Sequence, residues 1–244
     1  MRVTITVECT GDEITLYGSK ADGFDGPWIE PDGIEGWFGT PQPREGVVSR
    51  YSTDGDMAPA RLTQGARHVT VSGFAYFDSS VECSAFRDKL NALSLQSLVL
   101  AVEDALGRRW ARGYVSSGPE TKLDHDELSV SFSFVITCPD PRRYSDEVIY
   151  VPSGGRVRIV NVGNAPAFPR VEVTGQVTNL TMTLGSHVVK WTGSANGLSL
   201  DFSDMAPSAG TVTVDDAFSI PPGTSEVSVA SDGEVRVMFS SAWR

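Results

Sequence analysis

The stretch LDHDEL, residues 123–128, crowds four ionisable side chains into six positions. Aspartate and glutamate can ligate a hard metal ion or exchange protons, and histidine adds a nitrogen ligand that titrates near neutrality. Such chemistry needs convergence. Strand alternation would send His125 and Glu127 to one face and Asp124 and Asp126 to the other, so the spacing predicts a solvated hairpin end. His68 and His187 stand alone at the starts of strand patterns and read as ordinary edge residues. Cys9, Cys83 and Cys138 are odd in number, form no C-x-x-C pair, and read as reduced, mostly buried small residues. A nucleophile elbow, a phosphate-binding glycine loop, a zincin helix and an EF-hand loop are all missing from the text of the chain. The residues therefore name no catalytic group, no cofactor site and no metal site, and the expectation is a protein that is not an enzyme.

Composition narrows the class further. The 244 residues are 40% hydrophobic and 21% charged, which is ordinary for a folded globular chain. No apolar run approaches the length of a membrane span, so no membrane insertion is expected. The opening MRVTITVE alternates from its third residue and does not read as a secretory signal. Synthesis in a cytoplasm-like setting follows as an expectation. A net charge of −11 excludes a sequence-specific nucleic-acid reader, which needs a basic face to displace counterions. The excess is uneven: residues 1–60 carry 4 Lys and Arg against 11 Asp and Glu.

The elements that would position any site are mostly strands. RVTITVE (2–8), a Gly-Asp turn and EITLYG (13–18) form a starting hairpin. From residue 19 to 61 no period holds. That length is unusual for a loop in a compact domain and points to function. It carries Trp28, Trp37, Phe38 and Tyr51, which either fold back on their own domain or anchor a neighbouring subunit. RHVTVSGFAYF (67–77) is a strand, and then the period changes. Ser79 with Glu82 makes a capping box, and Cys83, Phe86, Leu90 and Leu93 form one apolar stripe, predicting a helix over 79–94. A hairpin around Gly107 follows, made of LVLAVED (98–104) and RRWARGYVS (108–116). ELSVSFSFVIT (127–137) then places Leu128, Val130, Phe132, Phe134 and Ile136 on one face.

CPDPRRYS (138–145) breaks the pattern. Pro139 and Pro141 fix their own φ and hold the residues before them extended, so the segment reads as a stiff hinge, with Arg142, Arg143 and Tyr144 available to pin two domains. Beyond it come nine short strand patterns and no helix pattern: EVIYV, RVRIVN, PRVEVTG, NLTMTL, HVVKW, GLSLDF, TVTV, SEVSVA and EVRVMFSSAW. The fold class expected is mainly β. An N-terminal β-barrel-like domain with one helix and a long loop occupies 1–145, and an antiparallel β-sandwich occupies 146–244.

This order of parts resembles the distal tail proteins of long-tailed, non-contractile (siphovirus-type) bacteriophages. The resemblance is carried by STDGDM (52–57) closing a long loop, RHVTVSG (67–73), FRDKLNAL (86–93), DPRRYS (140–145), NVGNAPAFPRVEVTG (161–175) and the closing IPPGTSEVSV and VRVMFSSAW within 220–243. It implies a virion component of the tail tip. Its N-terminal domain would close into a ring, hexameric as a rule in that family, and its sandwich would be galectin-like and point outward. The implied partners are further copies of the chain, the tail tube protein, a tail-tip hub or tail-associated protein, and a receptor-binding protein. If the ring surrounds a DNA channel, part of the acidic excess should line it, the candidates being Asp12, Glu13, Asp22, Asp25, Glu30, Asp32 and Glu35. The alternative is a carbohydrate-binding module in host adhesion, with Trp191 on an outer strand stacking on a sugar.

Overall fold

The computed structural model describes residues 1–18, 26–46 and 48–244, which divide into two compact units, Met1–Arg142 and Arg143–Arg244. The division falls three residues ahead of the boundary expected at 145/146.

The first unit holds β1 (Arg2–Val7), β2 (Glu13–Tyr17), β3 (Trp28–Glu35), β4 (Val48–Ser49), β5 (Asp56–Met57), β6 (Arg67–Tyr76), α1 (Ser80–Asn91), β7 (Leu98–Asp104), β8 (Gly107–Leu123) and β9 (Ser129–Cys138). Seven of these strands close a circuit. β8 pairs with β7, β7 with β1, β1 with β2, β2 with β3, β3 with β6, β6 with β9, and β9 returns to β8. All of these contacts are antiparallel except β2 with β3, which meet in parallel at the single pair Tyr17 and Trp28. Closure abolishes sheet edges, and alternation decides what lies inside. Val3, Ile5 and Val7 face Leu100 and Val102, Val69 and Val71, and Phe132, Phe134 and Ile136, all of them buried.

The helix α1 packs against β8 and β9. Ser79 caps it, its hydroxyl accepting the Glu82 N–H at 3.3 Å. Lys89 donates from Nζ to the Glu13 carbonyl on β2 at 2.6 Å. The stripe read from the sequence is the buried one: Cys83, Leu90 and Leu93 are within 2% of full burial, and Phe86 is partly buried. The Phe86 ring lies 5.3 Å from that of Phe77 and 5.9 Å from that of Phe132. Phe86→Ala should therefore cost about 2–3 kcal/mol, less than the ~3–5 of a fully enclosed phenylalanine. Chemical denaturation checks this, and a loss under about 1 kcal/mol would put the ring outside the packing.

The second unit contains β10 (Arg143–Tyr144), β11 (Val148–Tyr150), β12 (Arg156–Asn161), β13 (Arg170–Leu184), β14 (His187–Asp201), β15 (Thr211–Asp215), β16 (Gly223–Ser231), β17 (Glu234–Phe239) and β18 (Ala242–Trp243). Every strand pairing within it is antiparallel. PRVEVTG and NLTMTL, expected as two strands, are the single strand β13, and HVVKW and GLSLDF are the single strand β14. The reason is a shared bulge: the register shifts between Val173 and Gln176, with Gly175 at φ 82 on one strand and Gly197 at φ 97 on the other. Glycine takes this conformation without strain, so it bends the hairpin where a sequence pattern suggests a break. The first half of β13 pairs with β17 and its second half with β16, so one bent hairpin serves both layers of a sandwich. Val171, Val173, Leu180, Met182, Trp191, Val227, Val237 and Phe239 fill the space between them.

Asp232 braces the bend. Its carboxylate accepts the Thr178 N–H at 3.1 Å, the Thr178 hydroxyl at 2.6 Å and the Asn179 N–H at 3.2 Å. Hydrogen bonds from Thr178 foremost hold its pKa down at about 2. A depressed folded-state value means that the brace is fully present above the ordinary carboxylate pKa near 4 and is lost as the pH falls from there through about 2. The Thr178 and Asn179 amide resonances should titrate with a midpoint near 2, and a midpoint near 4 would show that the brace does not form.

Candidate functional site

The acidic hairpin end is solvent-exposed and bonded into its own turn. Asp124, His125, Asp126 and Glu127 are all exposed, and their carboxylates serve the turn: Asp124 accepts the His125 N–H at 2.8 Å and Asp126 the Leu128 N–H at 3.2 Å. Among the described residues no group of three or more His, Cys, Asp or Glu side chains is placed to hold a metal ion. His68 lies in a closed barrel rather than at an edge, its Nδ1 2.9 Å from the Thr137 hydroxyl, and His187 sits 3.0 Å from Asp216. Cys83 and Cys138 are buried as expected, and burial pushes the Cys138 thiol up to about 11, so it is protonated and inert. Cys9 departs from the expectation and is exposed, its thiol directed at Gln96 Oε1.

Two of the four candidate interface aromatics are spent inside their own unit. Trp37 is 1% exposed within the barrel core, and Trp28 is 8% exposed, packed beside Phe74 at 5.5 Å and Tyr76 at 6.2 Å. Their placement follows from an element the sequence reading passed over, because Trp28–Glu35 is a barrel strand. Side chains this enclosed cannot anchor a neighbour, which corrects the docking role for Trp28 and Trp37. Phe38 and Tyr51 remain, at 54% and 106% exposure.

What lies beyond Phe38 is an arm. At its base Arg44 N–H donates to the Thr63 carbonyl at 2.9 Å and Gly65 N–H to the Gln42 carbonyl at 3.0 Å. Thr63 adds two bonds to the Glu45 carboxylate, from its N–H at 2.8 Å and its hydroxyl at 2.5 Å, which lower the pKa of Glu45. The small hairpin of β4 and β5 forms the far part, with Val48 opposite Met57. Every residue from 48 to 62 is exposed, including Val48, Tyr51, Met57 and Leu62. The base is fastened and the tip uncovered, its apolar side chains interspersed with Arg50, Asp54, Asp56 and Arg61.

The base grows from a buried cation. Arg67, at the start of β6, is 0% exposed and donates through Nη1 to the carbonyls of Gly36 (2.7 Å), Trp37 (2.9 Å) and Gly39 (2.6 Å), and through Nε to that of Pro141 (2.8 Å). Burial lowers its pKa. It fixes the corner from which the arm departs, and nothing in the sequence reading singled it out.

Of the acidic candidates, Asp12, Glu13, Glu30, Asp32 and Glu35 are exposed, whereas Asp22 and Asp25 lie outside the described residues. Glu30 and Asp32 share a bulge: Ile29 pairs with Gly73 and Ile34 with Val71, so residues 30–33 loop out of the ladder. The hinge candidates are each engaged locally. Pro139 and Pro141 end the first unit, where Arg142 makes a bidentate pair with Asp140, from Nε at 2.9 Å and Nη2 at 3.0 Å. Arg143 and Tyr144 begin the second as β10, and Arg143 Nη2 donates to the Arg244 carbonyl at 2.7 Å. Trp191, the proposed sugar platform, is 0% exposed in the sandwich core, which corrects that assignment.

No protein-family model matches the chain, and a search of the curated proteins finds no match. Solved structures do match. The Dit protein (gp 19.1) of SPP1, described as a paradigm of the hub adsorption apparatus in Gram-positive infecting phages, superposes with a TM-score of 0.67 at 13% identity over 99% of both chains. Chains from the phage P2 baseplate in its activated conformation match at TM-scores of 0.54 with calcium and 0.53 with strontium, each at 9% identity over 98% of both chains. At these identities the likeness is one of fold, and it extends over both units.

Proposed function

We propose that the chain is a structural component of a phage tail tip. It forms a closed ring, of six copies, that joins the tail tube to the hub or baseplate and surrounds the DNA channel. The observation that carries this reading is the end-to-end likeness of fold to a hub adsorption protein, at a TM-score of 0.67 over 99% of both chains. Its place is the virion, its role is non-enzymatic, and its partners are its own copies, the tail tube and hub proteins, and a receptor-binding protein.

The exposed arm supports a ring, because a fastened hairpin with an apolar tip is a subunit hook and a closed barrel has no free edge to do that work. Pro139, Pro141, Arg142, Arg143 and Tyr144 are the joint that sets the sandwich relative to the ring. Some of Asp12, Glu13, Asp22, Asp25, Glu30, Asp32 and Glu35 face the lumen, where like charge keeps a passing polyanion from adhering.

Light scattering on the purified protein, alone and with its tube and hub neighbours, tests the reading. The expected mass is that of six chains, and electron microscopy should show a ring with a central channel. A monomer at every concentration and in every mixture would sink it.

A further inference from the structure

Two features of the residue 1–142 unit do nothing for its own fold. The first is Leu95, in the turn that follows α1. It sits in the left-handed region at φ 63, and its side chain is 99% exposed. A leucine there pays a backbone penalty while leaving a large apolar side chain in water, whereas asparagine or glycine would avoid both costs. An outlier that folding does not reward points to a contact outside the fold.

Leu95 stands beside a groove of about 420 Å³ that is also lined by Gln96, Gly113, Tyr114 and Pro139, with Arg112 at its edge. Tyr114 is 47% exposed, and the Arg112 side chain, although paired with Glu8 at 2.7 Å, is 70% exposed. The second feature is the arm tip. Tyr51 is 106% exposed, and Asp54 and Asp56 follow it in the same exposed stretch.

We propose that the arm of one copy lays Tyr51 into the groove between Leu95 and Tyr114 of the next copy, with Asp54 and Asp56 meeting Arg112. This rests on the ring reading and specifies its contact. The chemistry is complementary: an aromatic knob with few rotatable bonds meets an apolar groove, and acidic residues beside the knob meet a guanidinium beside the groove. The geometry is heterologous, since knob and groove lie at different places on one chain, and such a contact repeats head to tail until it closes. From the base at Arg44 to Tyr51 a fully extended chain would span roughly 20 Å.

The test uses the full chain in a Cys9→Ser background, because the Cys9 thiol lies next to Gln96 at the groove. The pair Tyr51→Cys with Leu95→Cys should give a ladder of disulfide-linked oligomers under mild oxidation, and each single replacement should give dimers at most. Leu95→Asn should raise the concentration needed for assembly by about tenfold, with a thermal midpoint, read at a dilution where both proteins are monomeric, equal to or above that of the parent. If the parent assembles but the ladder is missing and Leu95→Asn assembles normally, this docking is overturned and the ring stands. If Leu95→Asn lowers the thermal midpoint, the leucine serves the fold and the proposal fails. A parent that never assembles overturns both.

Discussion

Arg67→Ala is expected to cost the first unit about 3–5 kcal/mol, enough to unfold a domain of ordinary stability under mild denaturant. The guanidinium is fully enclosed, burial lowers its pKa, and among the described residues it makes no ion pair with a carboxylate. Compensation comes from the four carbonyl bonds to Gly36, Trp37, Gly39 and Pro141. Removing the side chain orphans the buried Trp37 carbonyl and leaves the part-buried carbonyls of Gly36, Gly39 and Pro141 to water, at about 1–3 kcal/mol for each group that finds no new partner, and leaves a cavity besides. Arg67→Lys should recover less than half of the loss. A single ammonium cannot reach both the 36–39 corner and Pro141, because the fork that does so belongs to arginine. Amide hydrogen exchange of residues 1–142 measures the effect. A loss below about 1 kcal/mol, or full rescue by lysine, would mean that the corner holds itself. Because the arm departs from that corner, protection of the amides at its base should fall before that of the barrel strands.

The strands that sequence period revealed are those whose alternation is unbroken. RVTITV, RHVTVSGFAY and SVSFSFVITC each show a buried residue at every second position, and each forms a continuous barrel strand. The helix was legible for the same reason, its four-residue stripe being the face that meets the core. What escaped notice was non-periodic for a physical cause. In β3 the four residues from Glu30 to Gly33 bulge out between Ile29 and Ile34, so the two halves of the strand no longer alternate as one and its tryptophan looked like part of a loop. In β13 and β14 the glycine bulge had the opposite effect, making single bent strands read as pairs. Arg67 escaped because its partners are backbone carbonyls, which carry no residue-type signal. Leu95 escaped because its oddity is a torsion angle, and a leucine in a helix-to-strand turn looks unremarkable as text. The arm was half legible: its aromatics marked the 19–61 region as more than a linker, but only burial separates Trp28 and Trp37, which belong to the barrel, from Phe38 and Tyr51, which do not.

Trp191→Ala is the second large effect expected, about 3–5 kcal/mol from the sandwich, and it decides what that tryptophan is for. On a sugar-binding face the ring would be exposed, and truncating it would abolish binding at little cost to folding. In the structure the ring is fully buried and Nε1 donates to the Ala209 carbonyl at 2.7 Å, so truncation removes core packing and strands an acceptor together. The loop carrying Ala209 is shaped around the ring. Gly210 sits at φ 70, and a Cβ placed on it would lie 2.5 Å from the indole. Gly210→Ala should therefore cost about 2–4 kcal/mol although the tryptophan is untouched, combining left-handed strain with overpacking. The two lesions act on one contact, so the double variant should lose less than the sum of the single losses, the cavity left by the missing indole accepting the new methyl group. Denaturation curves of the four proteins supply the cycle. Strict additivity would mean that the loop does not rest on the ring, and an unchanged stability for Trp191→Ala would return the tryptophan to the surface and to a glycan.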